Sequence, residues 1–168
     1  MSSAPDLTPI PLQVQVAQAR VAARGEILVA LGLGSCIAVL LHDARSRIAG
    51  MAHVLLPSPR GSASTTNPAK FASTAVPALL GEMEAAGAVR SRITARLAGG
   101  ASMFGALLSP GVVNAGERNV EAARCALATA RIPIVAEEVG GEHGRSVYLD
   151  PADGCVRVTS YQHPEVRI

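Results

Sequence analysis

The stretch "CIAVLLHDARSRIAGMAHVLLP", residues 36–57, decides how the chain is read. Two apolar runs, 36–43 and 47–57, flank a short polar segment, and such runs bounded by turn residues read as buried strands. A turn at Ala44 and Arg45 pairs Asp43 with Ser46 and makes the two runs a hairpin. In that register Cys36 stands opposite His53 on one face, with Cβ atoms about 5 Å apart. A slip of one residue sends the two side chains to opposite faces.

A thiol facing an imidazole suits nucleophilic catalysis. Free cysteine has a pKa of about 8.5, and an adjacent imidazolium stabilises the attacking thiolate, then returns a proton to the leaving group. Upstream, "LGLGSC" adds Gly32 and Gly34, where freedom at positive φ can aim N–H groups around Gly34, Ser35 and Cys36 at a developing oxyanion. The plainer reading stands beside this one. Cysteine is among the most buried residue types, a strand histidine is commonly a satisfied core group, and glycines also mark bulges.

Outward from the hairpin, "LQVQVAQ" (12–18) alternates as a strand, and "EILVAL" (26–31) is a second. A Ser/Thr/Gly/Pro loop (58–68) ends in Asn67 and Pro68, which predict the start of a helix running to about Ala86. Val76, Leu79, Leu80 and Met83 form its buried side, Pro77 bends it or lies near its first turn, and Gly87 closes it. "RITARLAGG" (92–100) is a strand. Asn114 with Glu117 resembles a capping box opening an alanine-rich helix to about Arg131. Strands at 132–140, 145–150 and 155–161 follow, the last two joined by "PADG". About seven strands and two helices predict a mixed α/β layered domain, with hairpins rather than regular β-α-β alternation.

The 168 residues suit one domain, 10–168, behind a flexible arm over 1–9. Aromatic residues make up 2% of the chain and the formal charge is +2, which argues against nucleic acid as a partner. The apolar run 27–41 is broken by Gly32, Gly34 and Ser35 and is shorter than the ~20 residues of a spanning helix, so no membrane insertion is expected. The N-terminus lacks the pattern of a secretory signal. Three cysteines at 36, 125 and 155 form neither a disulfide framework nor a zinc motif, which points to the reducing cytoplasm. Glu137 and Glu138 are neighbours on a strand and face opposite ways. His143 reads as a solvated loop residue, without a metal.

The motifs "LGLGSCIAVLLHD" and "GMAHVLLP", then "FASTAVPALLGEMEAAGA", "RLAGGASMF", "NAGERNV" and "EEVGGEHGRSVYLD", occur in order over about 26–160. Together they resemble the CheD family of chemoreceptor glutamine deamidases. The resemblance implies a layered α/β/β sandwich with largely antiparallel strands and two main helices. It implies that Cys36 is the nucleophile and His53 the general base and acid. The expected reaction converts glutamine side chains of methyl-accepting chemotaxis receptors to glutamate with release of ammonia, and needs no cofactor or metal. The CheC phosphatase is an implied partner. One position departs: the family commonly has a threonine six residues before the cysteine that helps orient the histidine, and this chain has Ala30. That departure leaves open a weakly active or inactive adaptor that binds receptors or CheC. Arg118 and Asn119 match "GERN", which an ion pair or cap at the helix start explains equally well.

Overall fold

The computed structural model describes residues 8–60 and 66–168. Most of the arm expected over 1–9, and the middle of the loop expected over 58–68, lie outside the described residues. Strands β1 (Ile10–Gln13), β2 (Ala19–Ala22), β3 (Glu26–Leu33), β4 (Ile37–Asp43) and β5 (Ile48–Val54) precede helix α1 (Ala72–Ala85). Strand β6 (Ile93–Gly99), helix α2 (Ala115–Thr129), and strands β7 (Ile134–Val139), β8 (Arg145–Leu149), β9 (Val156–Ser160) and β10 (His163–Arg167) complete the order.

The strands form two five-stranded sheets, β1-β3-β8-β9-β10 and β2-β5-β4-β6-β7. Only β1 with β3 and β6 with β7 pair in parallel; the other neighbours are antiparallel. The second sheet is the middle layer, which explains why every residue of β4 and β5 is buried. Its faces alternate with the strand period. Ile37, Val39, Leu41, Ala52 and Val54 pack under Val76, Leu79, Leu80 and Met83 of α1 and Val120, Ala123 and Leu127 of α2. Ala38, Leu40, Ala49 and Met51 pack on Leu28, Ala30, Val147 and Val158 of the first sheet. The layers are therefore helix, sheet, sheet, as the motifs imply. Gly50 lets α1 close on the middle sheet: a Cβ there would lie 2.8 Å from Leu79 Cδ1 and Met83 Sδ.

Three expectations are corrected. The segment 12–18 is not one strand: the chain leaves β1, bends at Ala17 with φ 60° and enters β2 in the other sheet. Period-two patterning does not register a change of sheet. The ten strands exceed the eight segments read as strands, and the expected count of about seven, through this division and through β10. The helix expected from Pro68 is interrupted: Asn67 caps a 3-10 turn over Pro68–Lys70, and Phe71 is extended before α1 starts. Pro77 then lies in the second turn of α1, inside the helix.

The helix ends follow their sequence signals. Gly87, at φ 109°, closes α1 with bonds from Gly87 N–H to Glu84 O and from Ala88 N–H to Met83 O, the paired pattern of a left-handed helix stop. Asn114 Oδ1 accepts from Glu117 N–H at 2.9 Å and caps α2.

Candidate active site

The hairpin exists, but in another register. Asp43 pairs with Ile48, so the turn is four residues, Ala44 to Arg47, and Ala38 rather than Cys36 lies opposite His53. The displacement is two residues, and a shift of two preserves the face. Cys36 precedes β4 and packs against the same intersheet cluster as Ala38, while His53 alternates with Ala49 and Met51 of that cluster. Diagonal neighbours across a strand pair lie roughly 7 Å apart, a separation that long side chains cross. The thiol and the imidazole thus share one face at the open end of the hairpin.

The divided strand supplies what orients His53. As the chain crosses between sheets, the Val14 carbonyl lies 3.1 Å from His53 Nδ1. A carbonyl only accepts, so Nδ1 carries the proton and Nε2 keeps its lone pair. Nε2 is buried and has no partner among the described residues. The backbone of His53 is fixed by the same crossing: its N–H donates to Gln18 O at 2.9 Å, and its carbonyl accepts from Ala17 N–H at 2.8 Å. Ala30 is fully buried in the intersheet cluster and presents only a methyl. Orientation comes from main chain, at a position with no polar side chain to signal it.

The cysteine segment is pinned by its carbonyls. Gly34 O accepts from Ala101 N–H at 2.8 Å, Ser35 O from Asn119 Nδ2 at 2.8 Å, and Cys36 O from Gly100 N–H at 2.7 Å. A Cβ on Gly99 would collide with Cys36 O, so that glycine permits the close pass of β6. Buried Arg145 secures the Gly99 carbonyl from beyond, through Nη1 at 3.1 Å. The two upstream glycines differ from each other. Gly32 has φ 66° and sits in a register break of β3 against β8. Gly34 is not left-handed, contrary to expectation; it is small because Met103 Sδ lies over it, 3.0 Å from where a Cβ would stand.

Burial raises the Cys36 thiol above its ordinary value, partly offset by its own N–H. Burial lowers His53, with the Val14 carbonyl acting the other way. Both shifts favour the uncharged forms, a thiol and a neutral imidazole, over the thiolate and imidazolium.

Ser35 lines a cleft of about 220 Å³ with Ala101, Ser102, Met103 and Phe104. The segment 102–113 carries exposed Met103, Phe104, Leu107, Leu108, Val112 and Val113, of which Met103, Phe104 and Leu108 line this cleft. Asn119 is neither a cap nor an ion-pair member. It is 1% exposed, and besides Ser35 O its Nδ2 donates to Leu55 O at 3.0 Å. Glu137 and Glu138 do face apart, to Arg124 and Arg145 respectively. His143 stacks on His163 with ring centroids 3.9 Å apart. Cys125 and Cys155 are free thiols, as is Cys36.

A layered α/β/β protein whose central hairpin ends in a cysteine and a main-chain-oriented histidine defines the class to which the chain is compared. The family model described as "CheD chemotactic sensory transduction" matches residues 55–160. A relative from Desulforamulus reducens, named "Probable chemoreceptor glutamine deamidase CheD", is 40% identical over 91% of this chain and 92% of its own length. One of the same name from Clostridium botulinum (strain Alaska E43 / Type E3) is 44% identical over 81% of this chain and 83% of its own. A "Probable chemoreceptor glutamine deamidase CheD 2" from Geobacter metallireducens is 41% identical over 91% and 95%. The chain belongs to the CheD family. Among solved structures, the C-terminal domain of CNFy from Yersinia pseudotuberculosis aligns with a TM-score of 0.41 at 10% identity, covering 94% of this chain and 61% of that one.

Proposed function

We propose that this chain, through one domain spanning 10–168, is a chemoreceptor glutamine deamidase that uses Cys36 as nucleophile and His53 as general base and acid. The observation that carries the reading is His53 itself: Nδ1 is committed to the Val14 carbonyl, and Nε2 is left as an unpartnered base on the face that Cys36 shares. His53 Nε2 takes the thiol proton as Sγ attacks the glutamine Cδ. The carbonyl oxygen becomes an oxyanion held by the N–H groups of Ser35 and Cys36, beside Gly34. The imidazolium gives its proton to the departing nitrogen, ammonia leaves, and a thioester remains. Water, deprotonated by Nε2, attacks that carbonyl; the C–S bond breaks, glutamate forms and the sulfur recovers its proton. Every proton and bond is accounted for by the thiol, the imidazole and one water.

The substrate is a glutamine exposed on a receptor helix, since a side chain locked in a helix seam does not reach a thiol within a fold. No helix among the described residues is long and apolar enough to cross a membrane. On this reading the chain acts from the cytoplasm, on the receptor segments there. CheC is a further partner on this reading. The adaptor alternative drew its support from Ala30, and the Val14 carbonyl removes that support by giving the imidazole another acceptor. Incubation with a receptor cytoplasmic fragment raises the fragment's mass by about 1 Da per modified glutamine, the difference between amide and acid. Cys36→Ala abolishes the gain; a variant that matches the unsubstituted protein rules the mechanism out.

A further inference from the structure

Asn119 is fully buried in the second turn of α2, and neither ordinary role of a buried asparagine accounts for it. Its two N–H donors go to two carbonyls, Ser35 O and Leu55 O, one residue before Cys36 and two after His53. Its Oδ1 has no partner among the described residues. A buried acceptor without a partner is a standing cost that an apolar residue would not carry.

The position of the bond to Ser35 O gives that cost a purpose. The Ser35 carbonyl and the Cys36 N–H belong to one peptide unit, and all peptide bonds among the described residues are trans. In a trans unit the C=O and the following N–H point in opposite directions from one plane. Fixing the carbonyl on Asn119 therefore fixes the Cys36 N–H to point away from α2. The preceding unit is set likewise: Ala101 N–H holds Gly34 O, which aims the Ser35 N–H. Among the described residues neither the Ser35 nor the Cys36 N–H donates to any other residue. The helix that carries Asn119 is itself locked in place, because a Cβ on Gly116 would collide with the carbonyls of Gly100 and Ala101.

We infer that Asn119 is a positioning residue for catalysis: by holding the Ser35 carbonyl, with its second N–H anchored on Leu55 O, it orients the Cys36 N–H as an oxyanion donor. The inference rests on the deamidase reading and extends it to a residue that touches neither substrate nor sulfur. It makes a split prediction. Deamidation develops an oxyanion, whereas alkylation of a thiol by iodoacetamide does not and reports the thiolate alone.

The test measures both reactions, with a receptor cytoplasmic fragment as substrate, in the unsubstituted protein, Cys36→Ala, Asn119→Ala, Asn119→Asp and Asn119→Gln. Asn119→Ala and Asn119→Asp remove the donor, and melting followed by circular dichroism identifies those that stay folded. In a folded donorless variant kcat falls about 100-fold with KM within about twofold, the size expected for a lost oxyanion donor. The rate and pH dependence of Cys36 alkylation stay within about threefold of the unsubstituted protein, as they follow the thiolate. Asn119→Gln keeps the amide one methylene away and recovers about tenfold of the lost kcat. An unchanged kcat, or kcat and alkylation falling together, overturns the inference; unfolding of both donorless variants assigns Asn119 to stability and overturns it too. Cys36→Ala keeps the two levels apart. If it still deamidates, the mechanism fails whatever Asn119 does; if it is inert while a donorless Asn119 variant is fully active, only the role of Asn119 fails.

Discussion

The two ends of the β4–β5 hairpin each hold a buried histidine and treat their polar groups in opposite ways. At the turn, Asp43 is fully buried and accepts from Arg45 N–H, Ser46 N–H, Val89 N–H and Arg92 Nε and Nη2, at 2.8 to 3.4 Å. Burial alone would raise its carboxyl, but the Arg92 fork and the Val89 and Ser46 bonds outweigh it and hold the group well below the usual carboxylate range. His42 beside it donates from Nε2 to Pro151 O at 3.0 Å and packs against Gly154. At the open end, His53 Nε2 and Asn119 Oδ1 are buried and have no partner among the described residues. Both histidines are buried and each bonds a backbone carbonyl. What separates them is the nitrogen left over. Orphaned polar atoms cost stability, and of the four such buried side-chain atoms among the described residues two belong to the cysteine end of the hairpin, the others being Arg96 Nε and Arg145 Nε.

The sharpest way to break this contrast is to treat the two histidines alike. His53→Gln lowers kcat by about 1,000-fold, the scale of a lost general base. His42→Leu leaves kcat within about twofold, and lowers stability by about 1–2 kcal/mol through the abandoned Pro151 carbonyl. Equal losses of activity in the two variants would erase the distinction. Next in size is the turn carboxylate. Asp43→Ala strands the Val89 N–H and frees Arg92, which is one-third exposed and regains water. A loss of about 3 kcal/mol follows, which thermal melting reads as roughly 6–12 °C, with kcat retained below the transition.

The smallest effect separates the ends by pH. The folded state protonates His53 less readily than the unfolded chain, so its contribution is intact above the ordinary histidine value of about 6.5 and declines as pH falls below it. Asp43 shifts downward, so its contribution persists to about pH 4 and is lost as pH falls further. Urea denaturation across pH should show two steps, and His53→Gln should erase only the upper one. The acid limb of kcat/KM in the unsubstituted protein should lie below 6.5; a limb above it would mean that the imidazole is not held neutral.

Much of this was legible in the chain. The buried face of α1, its stop at Gly87, the Asn114 cap and the shared face of Cys36 and His53 follow from periodicity and local hydrogen-bond chemistry. The register did not follow. The turn is closed by the Asp43 side chain and by Arg47 at φ 54°, a left-handed arginine where turn chemistry leads one to look for glycine or asparagine. The crossing at Val14 was hidden because alternation continues across it, and β10 because "HPEVR" lacks a clear apolar stripe. Asn119 was visible as a motif letter but not as a clamp. Its partners are backbone carbonyls, which every residue has, so no pattern of side chains points to them.

The acceptor that orients His53 belongs to the path of the chain rather than to any residue's identity. Exchanging Val14 for another amino acid leaves that carbonyl in place, so alanine scanning is blind to it. Random mutagenesis would meet it only through changes that reroute the crossing. An amide-to-ester replacement at the linkage between residues 14 and 15, made by chemical synthesis, weakens the acceptor while sparing every side chain, and gives this main-chain atom the kind of test that ordinary substitution gives to the rest of the site.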